Sequence, residues 1–345
     1  MTPTQIADVK ARTLTLNVSG AIQAAHRTSK RVFYPDGSYY LGALGVGAKA
    51  IDLSGLGDGV AMVTNAAVEF VCTTTGRHQS ILFYLKSNNN FSCGDVRFRD
   101  LGYDANVSWK GAIGFYLDRA ISTWGNVNLG AIHSNHMVAS VIVGGGYAAS
   151  RVRGINIKSI VSNDCYYGYV GQNQGDHVII GTIVAYLNFR AFFVYGCAEA
   201  TATVVSRNNR ATSGEICLAS YGPPTTGVRV NYTSRDNVTQ VNHVLFEQFG
   251  PGRAEISNCE IDVDIIETAQ NPPVAIINYN VSGGVPVRTP EPHTFDNITL
   301  RGSTTSGALV ICSARFASPG RLFVGGKLRE QLSPEVPSAL RLSTL

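Results

Sequence analysis

The stretch SIVSNDCYYGYVGQ, residues 159–172, passes from a short apolar segment through Ser-Asn-Asp into a group of tyrosines. Gly and Asn interrupt it too often for a good helix, because both have low helix propensity. Alternation of side chains along YYGYVG is typical of a strand. The stretch therefore predicts a strand, a tight turn at Asn163 and a second strand.

The same arrangement recurs along the chain. Stretches that end on asparagine, or on aspartate in its place, are VRFRDLGYD (96–104), VNLGAIHSN (127–135), INIKSIVSN (155–163), IGTIVAYLN (180–188) and ATATVVSRN (200–208). Their final residues are 31, 28, 25 and 20 residues apart. A second strand follows each of them: IGFYLD (113–118), VIVGGG (141–146), YYGYVG (166–171), FFVYG (192–196) and EICLASY (215–221). Helical repeats would show apolar residues with a period of 3.6, and these segments do not.

A repeat of this length without a helix cannot bury its apolar side chains alone. Stacked repeats can, because their strands pair in parallel about 4.8 Å apart. Parallel crossovers have one consistent hand. The pattern therefore predicts an all-β fold, a right-handed parallel β-helix. It is regular over residues 68–221 and less regular over 222–316, after the interruption GPPTTG at 222–227.

The repeated asparagine has a physical explanation. A tight bend favours a residue that tolerates left-handed backbone angles, and Asn does so better than most residues other than Gly. Stacked amide side chains also hydrogen-bond to one another between repeats. We therefore expect an internal ladder formed by Asn135, Asn163, Asn188 and Asn208.

Composition excludes several classes of function. Charged residues make up 15% of the chain and its net charge is +4, without a basic stripe, so no nucleic-acid partner is expected. No apolar run reaches the roughly 20 residues that would cross a bilayer, so no membrane insertion is expected. No hydrophobic segment follows Met1, so no signal peptide is expected. The seven cysteines have no metal-site spacing and are expected to be buried free thiols. No cofactor or metal is expected.

The stretch SGAIQAAHRTSKRVFYPDGSYYLG, residues 19–42, resembles the entrance of pectate-lyase-like β-helix proteins, which include phage tailspikes and polysaccharide depolymerases. The resemblance implies that AIQAAHRT is a short capping helix and that VFYPDGSYYL begins the solenoid. Together with the repeat pattern and with the prolines at 319, 334 and 337, it predicts a cap over residues 1–45, a solenoid over 46–316 and an extended tail over 317–345. The Gly-Asp-Gly-x-x-Asp-Asp stretch that often precedes this helix is absent. So are the clustered aspartates of pectate lyases and the Asp-Asp pair of polygalacturonases.

Alternation along the second strands assigns side chains to the outer face. These outward side chains form a predicted column of aromatic residues: Tyr116, Tyr167, Tyr169, Phe193, Tyr195 and Tyr221. Flat aromatic rings flanked by polar groups suit sugar rings. A subunit interface or a covering of loops would also explain the column.

Acidic residues near this face are Asp118, Asp164, Asp176 and Glu215. Glycoside hydrolysis uses two carboxylates, and alternate repeats would place them roughly 10 Å apart, which suits an inverting enzyme. We favour Asp164 with Glu215, and Asp176 as a substitute. A polysaccharide lyase is the alternative, with its base and cations drawn from His133, His136, Lys110, Arg119, Arg190 and Tyr167. Arg190 is also a predicted substrate-binding residue.

The chain is therefore interpreted as a protein that binds and cleaves a bacterial surface polysaccharide, either capsule or O-antigen. The resemblance implies a homotrimer and a place in a phage tail (virion) or outside the cell. A non-catalytic glycan-binding adhesin remains an alternative.

Overall fold

In the computed structural model the chain is all-β, with two short helices near the amino terminus and parallel sheets. The structure describes residues 1–77, 79–107, 109–118, 122–144, 151–172, 175–207, 215–220, 224–235, 243–248, 255–266, 275–278, 294–304, 309–312, 320–324, 327–332 and 340–343. The all-β prediction is confirmed.

The chain divides into two compact units. The first consists of Met1–Val170 and Val178–Gly181, and the second of Gly171–His177 and Thr182–Leu345. The cap, solenoid and tail boundaries that the sequence implies stay predictions.

The first unit contains α1 (Pro3–Ala11), α2 (Ser19–Thr28), β1 (Arg31–Tyr34), β2 (Gly37–Leu44), β3 (Lys49–Asp52), β4 (Ala61–Thr64), β5 (Val68–Thr74), β6 (Ser80–Lys86), β7 (Ser92–Cys93), β8 (Val96–Asp100), β9 (Ala112–Asp118), β10 (Trp124–Asn135), β11 (Ala139–Val143) and β12 (Val152–Asn163). Strands β13 (Tyr167–Gln172) and β14 (Gly175–Tyr186) have residues in both units. The second unit contains β15 (Arg190–Tyr195), β16 (Ala198–Arg207), β17 (Ile216–Ser220), β18 (Thr225–Thr226), β19 (Arg229–Arg235), β20 (Val244–Gln248), β21 (Glu255–Ile266), β22 (Ala275–Asn278), β23 (Thr294–Thr304), β24 (Leu309–Cys312), β25 (Gly320–Val324), β26 (Lys327–Leu332) and β27 (Leu340–Ser343).

Two parallel sheets form the first unit. In sheet A, β10 pairs in parallel with β7, β8 and β12. In sheet B, β3, β6, β9 and β11 pair in that order, also in parallel. Asn135 lies beside Asn163 and Val127 beside Ile155 in the β10–β12 register. The repeat read from the sequence is therefore the hydrogen-bonding register of this pair of strands.

An aromatic cluster packs the two sheets together. Phe70 and Phe98 come from sheet A, and Phe83 and Phe115 come from sheet B. The Phe70 and Phe83 ring centroids are 4.8 Å apart, and those of Phe98 and Phe115 are 5.1 Å apart. All four side chains are fully buried. Edge-to-face packing of this kind stabilises the unit beyond simple area burial.

The second unit repeats the arrangement and ends differently. Sheet C pairs β16 with β19, β19 with β21, β21 with β23 and β23 with β25, all in parallel. Sheet D pairs β15, β17, β20, β22 and β24, also in parallel. The last partners, β26 on β25 and β27 on β24, are antiparallel. A chain that folds back in this way covers sheet edges that would otherwise pair with another molecule.

Helix α2 contains the predicted capping helix, and α1 was not predicted. Thr2 and Gln5 exchange hydrogen bonds in a capping box, and Pro3 occupies the first turn of α1. Asp8 of α1 accepts hydrogen bonds from the hydroxyls of Thr13 and Thr15, which follow the helix. These bonds lower the pKa of Asp8 to about 2.

The asparagine bends differ from the prediction in two respects. Asn163 Nδ2 donates to Asn135 Oδ1 at 3.2 Å, so the amides do stack. They lie on the solvent side of the sheet, however, and the left-handed backbone belongs to the next residues, His136 (φ 56°) and Asp164 (φ 49°). The amides are used for side-chain hydrogen bonds between strands, and the following residue makes the turn.

Asn188 lies in a different environment from Asn135 and Asn163. In that repeat Leu187 has the left-handed backbone (φ 54°), and Asn188 is fully buried. Asn208 lies outside the described residues. The expectation of one internal ladder through all four asparagines is therefore wrong.

His26 makes stability depend on pH. It is buried, its Nε2 lies 2.7 Å from the Tyr34 hydroxyl, and burial lowers its pKa from 6.5 to about 4. The unfolded chain therefore binds a proton that the folded chain does not, and the stability present above pH 6.5 is lost as the pH falls towards 4. We expect His26 to account for a loss of about 2–3 kcal/mol in the free energy of unfolding across this window.

Urea unfolding of the wild type and of His26→Gln at neutral and acidic pH measures this loss. The variant should show the smaller acid destabilisation. Equal pH dependence in the two proteins would show that His26 is not the titrating group.

Candidate functional site

The predicted aromatic column is not an exposed surface. Tyr167 is 4% exposed, Tyr169 is fully buried and Phe193 is 2% exposed. Tyr221 lies outside the described residues. Alternation assigned the two sides of each strand, but both sides of these strands are buried. The expectation that Tyr167 and Tyr169 face solvent is therefore wrong, and the alternative of covered aromatic residues describes them better.

The Tyr116 side chain is partly exposed. It lies beside Tyr84 in the register of β6 and β9, and their rings stack with centroids 6.0 Å apart. Lys49 Nζ lies 3.2 Å from the centre of the Tyr84 ring, so one face of that ring is covered. The Tyr84 hydroxyl donates to Asp118, which also lies 4.0 Å from Lys86 Nζ. The Asp118 carboxylate is thus hydrogen-bonded to Tyr84 and ion-paired with Lys86.

In the second unit the predicted residues are largely buried. Glu215 is fully buried and Asp176 is 1% exposed, with its Oδ1 accepting from the Ala198 N–H at 3.2 Å. Arg190 is 6% exposed, stacks over Phe193 at 4.9 Å and donates to Cys217 Sγ. Tyr195 is half-buried, with its ring 5.2 Å from that of Phe193. A polymer in solvent does not reach Glu215 or Asp176 in this arrangement.

One cluster of predicted and new residues does face solvent in the first unit. We call it the corner site: Tyr103, Asp104, Trp109, Lys110, His136, Asp164 and Tyr166. It lies where β10 and β12 end and where the loop of residues 101–111 follows β8.

Asp100 anchors that loop. Its Oδ1 accepts from the N–H groups of Thr74 at 2.9 Å and Gly102 at 2.8 Å, and its Oδ2 accepts from the Thr74 hydroxyl. Gly102 lies so close to β5 that a Cβ there would be 2.0 Å from the Thr74 carbonyl oxygen. The start of the loop therefore packs tightly against the sheet.

Trp109 builds an aromatic platform. It has a left-handed backbone (φ 61°), and its ring centroid lies 5.7 Å from that of Tyr166 and 5.2 Å from that of Tyr167. Trp109 and Tyr166 are half-buried, whereas Tyr167 lies beneath them. The platform thus presents two aromatic side chains with partial exposure and a buried third that supports them.

A carboxylate and an imidazole meet at the same corner. His136 Nε2 lies 3.5 Å from Asp164 Oδ2, and the side chains are 49% and 21% exposed. The His136 ring also stacks on Tyr103, with centroids 6.0 Å apart and planes 7° apart. The left-handed turns after Asn135 and Asn163 bring these neighbours together, because the two strands pair in register. An imidazole held by a carboxylate and an aromatic ring is suited to accept or donate a proton.

A second ion pair contributes charge. Lys110 Nζ lies 3.7 Å from Asp104 Oδ2, and both side chains are about one-third exposed. The corner site therefore combines aromatic rings, two carboxylates, an imidazole and an ammonium group. Aromatic faces with polar groups at their edges match the apolar faces and hydroxyl-bearing edges of a sugar.

Sequence reasoning found part of this site. Asp164, His136 and Lys110 were named as candidates. Asp104 was interpreted only as a turn residue in place of asparagine, and Tyr103, Trp109 and Tyr166 were not assigned a role. The signal that was available is the local density of aromatic and charged residues in YDANVSWK, 103–110, directly after a strand. Arg119, a candidate for the lyase alternative, lies outside the described residues. His133 lies on the outer side of β10, and partial desolvation of its ring together with the charge of Arg97 lowers its pKa.

Comparison with family models, with curated proteins and with solved structures finds no match to this chain. In the described part of the chain, no helix has the length and apolar character needed to cross a membrane. Within those same residues no group of three or more His, Cys, Asp or Glu side chains is arranged to hold a metal ion.

Proposed function

We propose that the chain is a right-handed parallel β-helix that binds and cleaves a bacterial surface polysaccharide at the corner site. The parallel registers and the face-to-face packing of sheets A and B support the fold. The observation that carries the function is the Trp109–Tyr166 platform beside the His136–Asp164 pair.

Hydrolysis is the first candidate reaction. It needs one carboxyl group to protonate the leaving oxygen and one carboxylate to activate water or attack the sugar. Among the carboxylates predicted from the sequence, Asp164 is the one that lies at the corner site, with its side chain 21% exposed beside His136. Asp104 takes the second role in this proposal, since Glu215 and Asp176 are buried and Asp118 is bonded to Tyr84. Because Asp164 and Asp104 are both partly exposed, a polymer in solvent can reach the two carboxylates.

Elimination is the second candidate, and the His136–Asp164 contact favours it. His136 would remove the proton next to a uronate carboxylate, the bond to the leaving oxygen would break to give an unsaturated sugar, and the leaving oxygen would take a proton from water. Asp164 would orient the imidazole and stabilise its protonated form, as a carboxylate does for a histidine base. Lys110 would offset the developing charge on the uronate.

Capsular polysaccharides and O-antigens are therefore the substrates to test. Ultraviolet absorbance of unsaturated uronates indicates elimination, and new reducing ends without that absorbance indicate hydrolysis. Binding without either product would identify a non-catalytic adhesin. The absence of both binding and cleavage for every polysaccharide in the panel would contradict the proposed function. Assembly as a homotrimer and a place in a phage tail or outside the cell remain part of the proposal.

A further inference from the structure

An arginine and a histidine lie side by side next to the corner site. Arg97 on β8 and His133 on β10 are side by side in the parallel register, and both are exposed. His133 is three residues before His136 of the corner site. Arg97, near the start of β8, is therefore connected to the corner site through His133, its neighbour near the end of β10.

The acidic residues around Arg97 are already paired with other bases. Glu69 is the neighbour of Arg97 on β5, but it lies 3.2 Å from Arg99 Nε and accepts from the Ser38 hydroxyl. Asp95 lies 3.6 Å from Lys158 Nζ and accepts from the Ala131 N–H.

The two acidic residues of the corner site are also paired, Asp164 with His136 and Asp104 with Lys110. Among the described residues, the Arg97 side chain has no ion pair or hydrogen bond. The Arg97 guanidinium group is therefore exposed on this surface, while the acidic residues near it form ion pairs with other basic residues.

We propose that Arg97, with His133, recognises an anionic substituent of the bound polysaccharide, so that the substrate is an acidic rather than a neutral glycan. This inference rests on the proposed function and names the substrate class of the same surface. A guanidinium group pairs with a carboxylate through two parallel hydrogen bonds and pairs with a phosphate in the same way. A uronate or other acidic sugar and a phosphate-bearing repeat share this chemistry.

The test uses an acidic capsular polysaccharide that the protein binds, together with two derivatives of it. Carboxyl reduction removes sugar carboxylates, and dephosphorylation removes phosphate. Wild-type protein is expected to bind the native polymer about 10-fold more tightly than the derivative that lacks the recognised group. The derivative that loses affinity identifies the source of the charge.

Arg97→Gln is expected to bind native and neutralised polymers equally. Arg31→Gln is the matched control, because Arg31 is an exposed arginine on β1 of the same sheet and its loss changes the net charge equally. That control should keep the wild-type preference.

Equal losses in Arg97→Gln and Arg31→Gln would show only general charge attraction and would overturn the inference. Equal wild-type affinity for the native and both neutralised polymers would also overturn it, while leaving polysaccharide binding intact. Failure to bind any acidic or neutral polysaccharide would remove the proposed function and this inference together.

Discussion

Asp164→Asn is expected to lower the rate of polysaccharide cleavage by about 10²–10⁴-fold, the usual contribution of a positioned acid or base. Both candidate reactions need the Asp164 carboxylate, in hydrolysis as an acid or base and in elimination as the partner of His136 Nε2 at 3.5 Å. Asn tolerates the left-handed backbone that Asp164 has (φ 49°), so the turn is preserved. Product formation per mole of folded protein measures the effect.

Asp264→Asn provides the matched control. Asp264 is 45% exposed and lies 2.9 Å from Arg235 Nη2, so the substitution also removes a carboxylate from an exposed ion pair. It should leave the cleavage rate near that of wild type. Full activity in Asp164→Asn, with a thermal unfolding midpoint equal to that of wild type, would remove the corner site from the mechanism.

Phe98→Ala is expected to lower the free energy of unfolding by about 3–5 kcal/mol, the usual cost of truncating a buried phenylalanine. Phe98 is fully buried on sheet A, and its ring lies 6.3 Å from that of Phe70, 6.2 Å from that of Phe83 and 5.1 Å from that of Phe115. Truncation therefore leaves a cavity between sheets A and B, whose side chains form the core of the first unit.

Phe33→Ala is the comparison, because Phe33 lies on β1 of the same sheet and is 58% exposed. Its free energy of unfolding should change by less than about 0.5 kcal/mol. Urea titrations of the two variants measure the difference, and Phe98→Leu serves if the alanine variant is insoluble. Similar stability of the Phe98 and Phe33 variants would contradict the assigned packing of sheets A and B.

The parallel register of β10 and β12 was predictable from the repeat, whereas that of β8 was not: the repeat aligns Asp104 with Asn135, but Asn135 pairs with Arg99. The spacing of VNLGAIHSN and INIKSIVSN reappears as the pairing of Val127 with Ile155 and of Asn135 with Asn163. Period-2 alternation also gave the core position of Phe115 and the opposite side for Tyr116. Both features depend on local spacing, which the sequence contains.

Exposure was not predictable, because alternation assigns a side to each residue and does not say what covers that side. Tyr169 was assigned to the outer side of its strand, yet it is fully buried. The turn residue was also missed. The preference of Asn for left-handed backbone predicts that Asn163 makes the turn. In the structure the Asn163 amide donates a hydrogen bond to Asn135, and Asp164 has the left-handed backbone.

The loop of residues 101–111 has no periodic pattern, so its path depends on tertiary contacts. Trp109 contacts Tyr166 and Tyr167 from a loop whose start is held against β5 by Asp100 and Gly102. None of these contacts follows from sequence spacing. That is why the sequence named Asp164 and His136 and did not name the aromatic platform beside them.

The most direct test of glycan binding at the corner site is fluorescence from Trp109 alone. The chain has two tryptophans, and Trp124 is buried with its Nε1 donating to the Asp118 carbonyl oxygen, so Trp124→Phe isolates the Trp109 signal. Titration with a polysaccharide that the protein binds should shift the Trp109 emission, with half the change at the concentration that half-saturates binding. Emission that stays constant through full saturation would place the glycan elsewhere and would contradict the account.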